Sequence, residues 1–121
     1  VFSVKFSESN DFLISVGRDA HINFWDIKRD YMLEDSIPAH MYAINHLAFR
    51  NDKKLFATGS MDKTIKIWDH HEKKLLKVID KERHGGHLSS VNKLYWSKFN
   101  NYLISASDDK TISVWDLELN Y

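Results

Sequence analysis

Apolar residues lie along the chain in short runs, many of them alternating with polar residues. A pair of apolar residues on either side of one polar residue recurs three times, as Ile22–Phe24, Ile65–Ile67 and Ile112–Val114. This period of two, with its β-branched and aromatic residues, predicts strands rather than helices. Polar turn sequences such as SESND, GRDA and SMDK separate the runs. The pattern therefore predicts an all-β protein.

The strands belong to a repeat. Residues 1–26, 44–69 and 91–116 align without a gap, at offsets of 43 and then 47 residues, and each ends in Trp-Asp. Each copy contains three predicted strands, and a fourth apolar run (YMLEDSI or KKLLKVI) follows the first two copies. Four strands in a unit of this length predict one antiparallel sheet per unit, and such periods are typical of propellers, solenoids and arrays.

The sequences TGSMDKTIKIWD and SASDDKTISVWD resemble the WD-repeat family, and GRDAHINFWD resembles it more weakly because Ala20 and His21 depart from the pattern. The Gly-His that precedes a repeat is matched by Gly86-His87 and loosely by Ala39-His40. The resemblance implies a β-propeller, in which four-stranded blades surround a channel. The chain is thus expected to be a propeller segment of three blades, the last lacking most of its outer strand.

The predicted blades span residues 1–39, 40–86 and 87–121. A propeller needs at least four blades to close, so three blades would leave an apolar face uncovered at each end. Closure would require further blades, either from the same chain in a larger propeller, for example of seven blades, or from other copies of the chain.

The resemblance also implies a buried hydrogen-bonded chain in each blade, which joins a His, a Ser or Thr, an Asp and the Trp. The corresponding residues are His40, Thr58, Asp62 and Trp68; His87, Ser105, Asp109 and Trp115; and, without a histidine, Ser15, Asp19 and Trp25. The chemistry is consistent, because indole donates to hydroxyl, hydroxyl to imidazole, and imidazole to carboxylate. These residue types also compose a serine-hydrolase triad. Their recurrence in every unit favours a structural role.

In the segment from residue 64 to 87, His70, His71 and His84 have no place in these networks, and we expect them in solvated turns. HGGH has metal-like spacing, but His87 is already assigned, and the chain has no cysteine. Neither a metal nor a cofactor is predicted. With 17 basic and 17 acidic residues the formal net charge is zero, which gives no reason to predict nucleic-acid or membrane binding. No apolar run is long enough to span a bilayer and no signal peptide is visible, so an intracellular location, cytoplasmic or nuclear, is expected.

The residue before the repeated Asp varies among the copies, as Arg18, Met61 and Asp108. A position fixed by folding should keep its chemistry, so a position that varies is either free of constraint or used for recognition, and recognition is the hypothesis that we adopt. In the resembling fold these turns share a surface with the loops that enter each blade, which contribute Tyr42, Ser89 and Arg83. The predicted function is a non-catalytic scaffold that binds a protein or peptide. The alternatives are the propeller part of a larger enzyme, such as a hydrolase or kinase, and a structural module without a ligand.

Overall fold

The computed structural model describes residues 1–7 and 11–117, which form three antiparallel sheets. The first contains β1 to β4, at Ser3–Phe6, Phe12–Val16, His21–Asp26 and Met32–Pro38. The second contains β5 to β8, at Ile44–Phe49, Leu55–Ser60, Ile65–Asp69 and Lys74–Ile79. The third contains β9 to β11, at Val91–Trp96, Leu103–Ser107 and Ile112–Trp115. A 3₁₀ turn covers Ile27–Arg29, and one helical turn, α1, covers Lys81–His84.

Each sheet is one blade, with its strands hydrogen-bonded in chain order. The first strand of each blade, β1, β5 or β9, lies on the inner side, and the next strands follow outward. Three consecutive blades of this kind form an open arc, so the predicted fold class, an all-β propeller segment, is confirmed. Within the described residues the third blade has three strands; residues 118–121, where the predicted remnant of its outer strand would fall, lie outside the described residues.

The turn between the second and third strands has the same backbone shape in every blade. Ala20, Lys63 and Lys110, which follow the repeated Asp, all have positive φ, at 63°, 76° and 70°. Such left-handed backbone is uncommon outside glycine. Its recurrence at one repeat position shows that the turn is fixed by the fold, although the residue in it changes.

The hydrophobic core lies between blades rather than within them. One cluster joins the first two blades and includes Ile22, Phe24 and Trp68. A second cluster joins the second and third blades and includes Ile67 and Trp96. Because a four-stranded sheet has two faces and only the middle blade has a neighbour on each, the middle blade alone is covered on both sides.

Equivalent positions show what a missing neighbour does to burial. Ile22 and Ile65, on the third strands of the first two blades, are 0% and 1% exposed. Ile112, at the same repeat position in the last blade, is 73% exposed, and Val114 beside it is also exposed. At the other end of the arc, Val4 is exposed although its equivalents in the later blades are buried. Both end faces of the arc are therefore uncovered apolar surfaces.

Close backbone approach also ties the second blade to the third. The Trp96 indole donates to the carbonyl of Ala48 at 2.9 Å, and the Leu94 N–H donates to Nδ1 of His46 at 2.9 Å. A Cβ on Gly59 would come within 2.7 Å of Cγ1 of Val91. Glycine is therefore needed at position 59, where the two blades meet.

The loop that leads into the third blade contains α1, because Asp80 accepts from the Arg83 N–H and Gly85 adopts left-handed backbone at the other end. One local expectation was wrong. His70 was expected in a solvated turn, yet it is buried, with its ring edge-on to Phe49 at 5.2 Å between centroids. The Phe56 ring also lies 6.4 Å from this imidazole, and the turn sequence gave no sign of these aromatic contacts.

We expect the 121-residue chain on its own to self-associate, because each end of the arc presents apolar strand faces that no other described residue covers. Sedimentation velocity at increasing concentration measures this directly. Replacing Ile112 and Val114 by Thr should reduce the association. A concentration-independent monomer with a sharp cooperative unfolding transition would contradict the expectation.

Candidate interaction surface and its supporting networks

The second blade carries one continuous chain of side-chain hydrogen bonds. The indole of Trp68 donates to Oγ1 of Thr58 at 2.9 Å, and this hydroxyl lies 2.8 Å from Nε2 of His40. Nδ1 of His40 then lies 2.8 Å from Oδ2 of Asp62. With the imidazole proton on Nδ1, each group donates to the next and each acceptor is used. The His40 side chain is fully buried, where such complete pairing is required.

Thr64 also belongs to this network, and the sequence reading did not include it. Its hydroxyl donates to Oδ1 of Asp62 at 2.6 Å, and its backbone N–H donates to the same oxygen at 2.9 Å. The signal for it was present in the sequence: Asp-Lys-Thr recurs in the second and third copies, whereas the first copy has Asp-Ala-His.

The third blade repeats the arrangement. The Trp115 indole donates to Oγ of Ser105 at 3.0 Å, which lies 2.6 Å from Nε2 of His87, and Nδ1 of His87 lies 2.9 Å from Oδ2 of Asp109. The hydroxyl and backbone N–H of Thr111 both donate to Oδ1 of this carboxylate. Two blades thus contain the same network, built from residues at matching repeat positions.

The first blade contains only separate parts of the network. The Trp25 indole donates to Oγ of Ser15 at 2.9 Å. Asp19 is exposed, and its carboxylate accepts from the backbone N–H of His21 at 3.2 Å and from the Asn23 side-chain amide at 3.5 Å. The three sequence-predicted residues of this blade are therefore not brought into one chain of hydrogen bonds.

The environment of each carboxylate favours its ionised form. Burial would raise the pKa of Asp62, but hydrogen bonds from His40 and Thr64 outweigh it and hold the pKa well below the ordinary 3.8. At Asp109 the Thr111 hydroxyl has the largest effect, opposed by burial, and the Leu88 N–H and His87 add to it, so this pKa is also far below 3.8. Both turns are thus held by a full negative charge at neutral pH.

The networks fasten the loops that enter the blades to the turns between the second and third strands. The backbone N–H of Met41 donates to Asp62, and that of Leu88 donates to Asp109. The Ser60 hydroxyl donates to the carbonyl of Ala43 at 2.9 Å and accepts from the backbone N–H of Asp62. The two kinds of loop therefore form one held surface, which we call the rim.

The side chains predicted for partner binding lie on these rim loops. Tyr42 and Met61 are 60% and 52% exposed, and Arg18 is also exposed. Met41, next to Tyr42, and Leu88, at the equivalent position of the loop that enters the third blade, also expose large apolar side chains. Neither residue was among those predicted for binding. The rim thus combines aromatic, thioether and cationic side chains on loops whose backbone is held by the hydrogen bonds described above.

The remaining three predicted residues are less free. Asp108 is exposed but accepts from the Asn92 amide at 2.6 Å. Arg83 forms an ion pair with Asp80 at 2.9 Å on α1, and Ser89 is half-buried, with its carbonyl accepting from the Ser107 hydroxyl. These three residues therefore already make hydrogen bonds or ion pairs within the chain, through a side chain or the backbone.

The geometry does not suit a hydrolase triad. Thr58 and Ser105, the hydroxyls that would have to act as nucleophiles, are completely buried and each already accepts from an indole. Nucleophilic attack requires a hydroxyl that a substrate can reach. Within residues 1–7 and 11–117 no group of His, Asp and Glu has a metal-binding arrangement, and no helix of that part is long and apolar enough to cross a membrane.

Comparison with known proteins agrees with this architecture. The sequence profile of the WD40 family (WD domain, G-beta repeat) matches residues 1–26, 32–69 and 75–116. The chain therefore belongs to the WD40 repeat family. The crystal structure of RRP9 WD40 repeats superimposes with a TM-score of 0.82 at 23% identity, over 94% of this chain and 34% of that one, which supports the fold.

Among curated proteins, the Arabidopsis thaliana transcriptional corepressor LEUNIG_HOMOLOG is 35% identical over 69 residues, 57% of this chain and 9% of its own length. The Saccharomyces cerevisiae pre-mRNA-processing factor 17 is 32% identical over 51% of this chain and 14% of its own length. Eukaryotic translation initiation factor 3 subunit I of Drosophila pseudoobscura pseudoobscura is 26% identical over 69% of this chain and 26% of its own length. The chain thus spans about a quarter or less of these relatives.

Replacing Asp62 by Ala is expected to destabilise the intact protein by about 1–3 kcal/mol, because His40 and Thr64 lose their acceptor in a buried place. Chemical denaturation followed by circular dichroism measures the change. Glu72→Ala, at an exposed turn position, is the control and should leave the unfolding midpoint unchanged. An Asp62→Ala protein as stable as the control would show that the network does not serve stability.

Acidification should gradually remove the contribution of the Asp62 carboxylate to the free energy of unfolding. A carboxylate whose pKa is lowered by folding stabilises the folded state above its unfolded pKa, and loses that effect as the pH falls toward the folded pKa. For Asp62 the loss should begin below about pH 4 and continue toward lower pH. Urea midpoints measured across this range should fall less steeply in Asp62→Asn than in the unmodified protein. Equal slopes would mean that Asp62 does not carry the effect.

Proposed function

We propose that the chain is a rigid, non-catalytic propeller segment that binds a protein or peptide partner through its rim, within a larger assembly inside the cell. The residues assigned to binding are Arg18, Met61, Asp108, Tyr42, Ser89 and Arg83. Tyr, Met and Arg are enriched at the buried centres of interfaces. The single observation that carries the proposal is that Tyr42 and Met61 are exposed on loops held in place from beneath.

Pre-organisation is the physical reason to expect binding here. A partner that meets a rigid surface does not have to order the loops as it binds, so less of the contact energy is lost to conformational entropy. Aromatic and thioether side chains on such a surface offer apolar contact area, while Arg18 and Asp108 offer opposite charges near its edge. Loops supported by a rigid scaffold commonly carry recognition.

The named relatives agree with an assembly role. A corepressor, an initiation factor subunit and a pre-mRNA-processing factor are, by their names, members of nuclear or cytoplasmic machinery. A cytoplasmic or nuclear location is part of the proposal for this chain. Closing the propeller would take further blades, from the same chain or from other copies, and these would cover the apolar end faces of the arc.

Arg18→Ala, Tyr42→Ala and Met61→Ala are each expected to weaken partner binding about fivefold or more, because truncating a central interface side chain commonly costs at least about 1 kcal/mol. The unfolding midpoint should change little, since exposed substitutions away from networks are nearly neutral. The intact protein is purified with its partners, which are identified by mass spectrometry, and affinity for the main partner is measured by biolayer interferometry.

Matched controls lie at the other end of the blades. Glu72→Ala and Lys74→Ala change exposed residues at and just after the turn between β7 and β8. If these two variants lose binding while the three rim variants keep it, the binding surface has been assigned to the wrong end.

A further inference from the structure

A second surface lies on the inner wall of the arc, away from the rim. The first strands of the three blades and the turns that follow β5 and β9 line a cleft of about 590 Å³. Lys5 comes from β1, His46 from β5 and Tyr95 from β9, and Lys53 and Lys98 come from the turns after β5 and β9. The cleft therefore spans all three blades, and its lining residues are far apart in the sequence.

The charge of this cleft differs from that of the chain as a whole. Three of its lining residues are lysines, and among the described residues that line it none is Asp or Glu. Asp52, the carboxylate next to Lys53 in the sequence, is paired with Arg50 at 2.6 Å. Since the 17 basic and 17 acidic residues of the chain balance, the positive charge here is a local concentration.

The cleft also has apolar and neutral polar groups between the lysines. Phe49, on β5, lines the cleft and is half-buried. Tyr95 also lines it, but it occupies the repeat position of Ala48, which is buried against the third blade, so its 61% exposure reflects the uncovered end of the arc. Burial and then the neighbouring charges of Lys93 and Lys5 lower the pKa of His46 below 6.5. This imidazole is therefore neutral at pH 7, and its Nδ1 is occupied by the Leu94 N–H.

The cleft lysines differ from two half-buried lysines elsewhere in the chain, which make contacts within the fold. Lys5, Lys53, Lys93 and Lys98 are all exposed. By contrast, Lys66 donates to the carbonyl of Ala39, and Lys73 lies 3.5 Å from Asp35 and above the ring of Phe24. Like charges repel one another, and no described lining residue of the cleft is a carboxylate, so an anion that enters the cleft would relieve this repulsion.

We propose that this inner cleft binds an acidic peptide segment of a protein partner, with the lysines facing its carboxylates and the half-buried ring of Phe49 packing against an aromatic or apolar side chain. A single row of carboxylates with an interspersed apolar residue matches both features of the cleft. Nucleic acid matches less well, because it needs an extended track of cations along its phosphates, and the basic residues of the cleft are confined to one short wall. The site is separate from the rim and does not depend on the function proposed for it.

The test uses the intact protein and a short fluorescein-labelled peptide of Asp and Glu with one central Phe, followed by fluorescence anisotropy. The peptide should bind, and raising the salt concentration should weaken it, because exposed charges are screened. A peptide with Asn and Gln in place of the acids should bind much more weakly. Lys5→Glu combined with Lys98→Glu should reduce affinity for the acidic peptide by about tenfold or more.

The matched control is Lys74→Glu combined with Lys77→Glu, which makes the same change in net charge on β8, the outer strand of the middle blade. It should change affinity less than about twofold, since charges at that distance are screened. Tyr42→Ala on the rim should leave peptide binding intact, so this site and the rim can fail independently.

Three results would overturn the proposal. The acidic peptide does not bind the unmodified protein; the β8 control loses as much affinity as the cleft variant; or a single-stranded oligothymidylate binds more tightly than the acidic peptide and loses its affinity in the cleft variant. The last result would assign the cleft to nucleic acid instead.

Discussion

Burial between neighbouring blades is the interaction on which the rest of the structure depends. No blade of this protein encloses a core of its own, because the apolar residues of each sheet point outward from its two faces. Phe24 of the first blade and Trp68 of the second meet in one cluster, and Ile67 of the second meets Trp96 of the third in another. Hydrogen bonds within the sheets set the shape of each blade, but contact between sheets removes the apolar surface from water.

The polar networks complement this apolar packing. They occur where the second strand turns into the third, and they hold the loop of Met41 or Leu88 against that turn through an ionised carboxylate. The energetic value of such a network depends on its completeness, because a partly satisfied buried network is costly. This explains why His40 comes with Thr58 and Asp62, and why the first blade, without a histidine, has Asp19 exposed and bonded locally.

The sequence predicted the blades well because their information is local and repeated. Alternating apolar residues specify strands, and the spacing of His40 to Asp62 and of His87 to Asp109 is the same in both blades. The inner cleft could not be predicted in this way, because Lys5, Lys53 and Lys98 are not at one repeat position and meet only through the curvature of the arc. The buried position of His70 was also missed, since it depends on Phe49, which belongs to a different strand.

The unequal covering of the three blades has a dynamic consequence. Hydrogen exchange of backbone amides reports the free energy of local opening, which differs among the parts of a protein. Strands β6 and β7 have a neighbouring sheet on each face, whereas β2 and β10 have one on a single face. Opening the middle blade would disrupt two apolar clusters, and opening an end blade would disrupt one. The amides of Thr58 and Ile67 should thus exchange last, and the arc should lose its structure from its ends toward its centre.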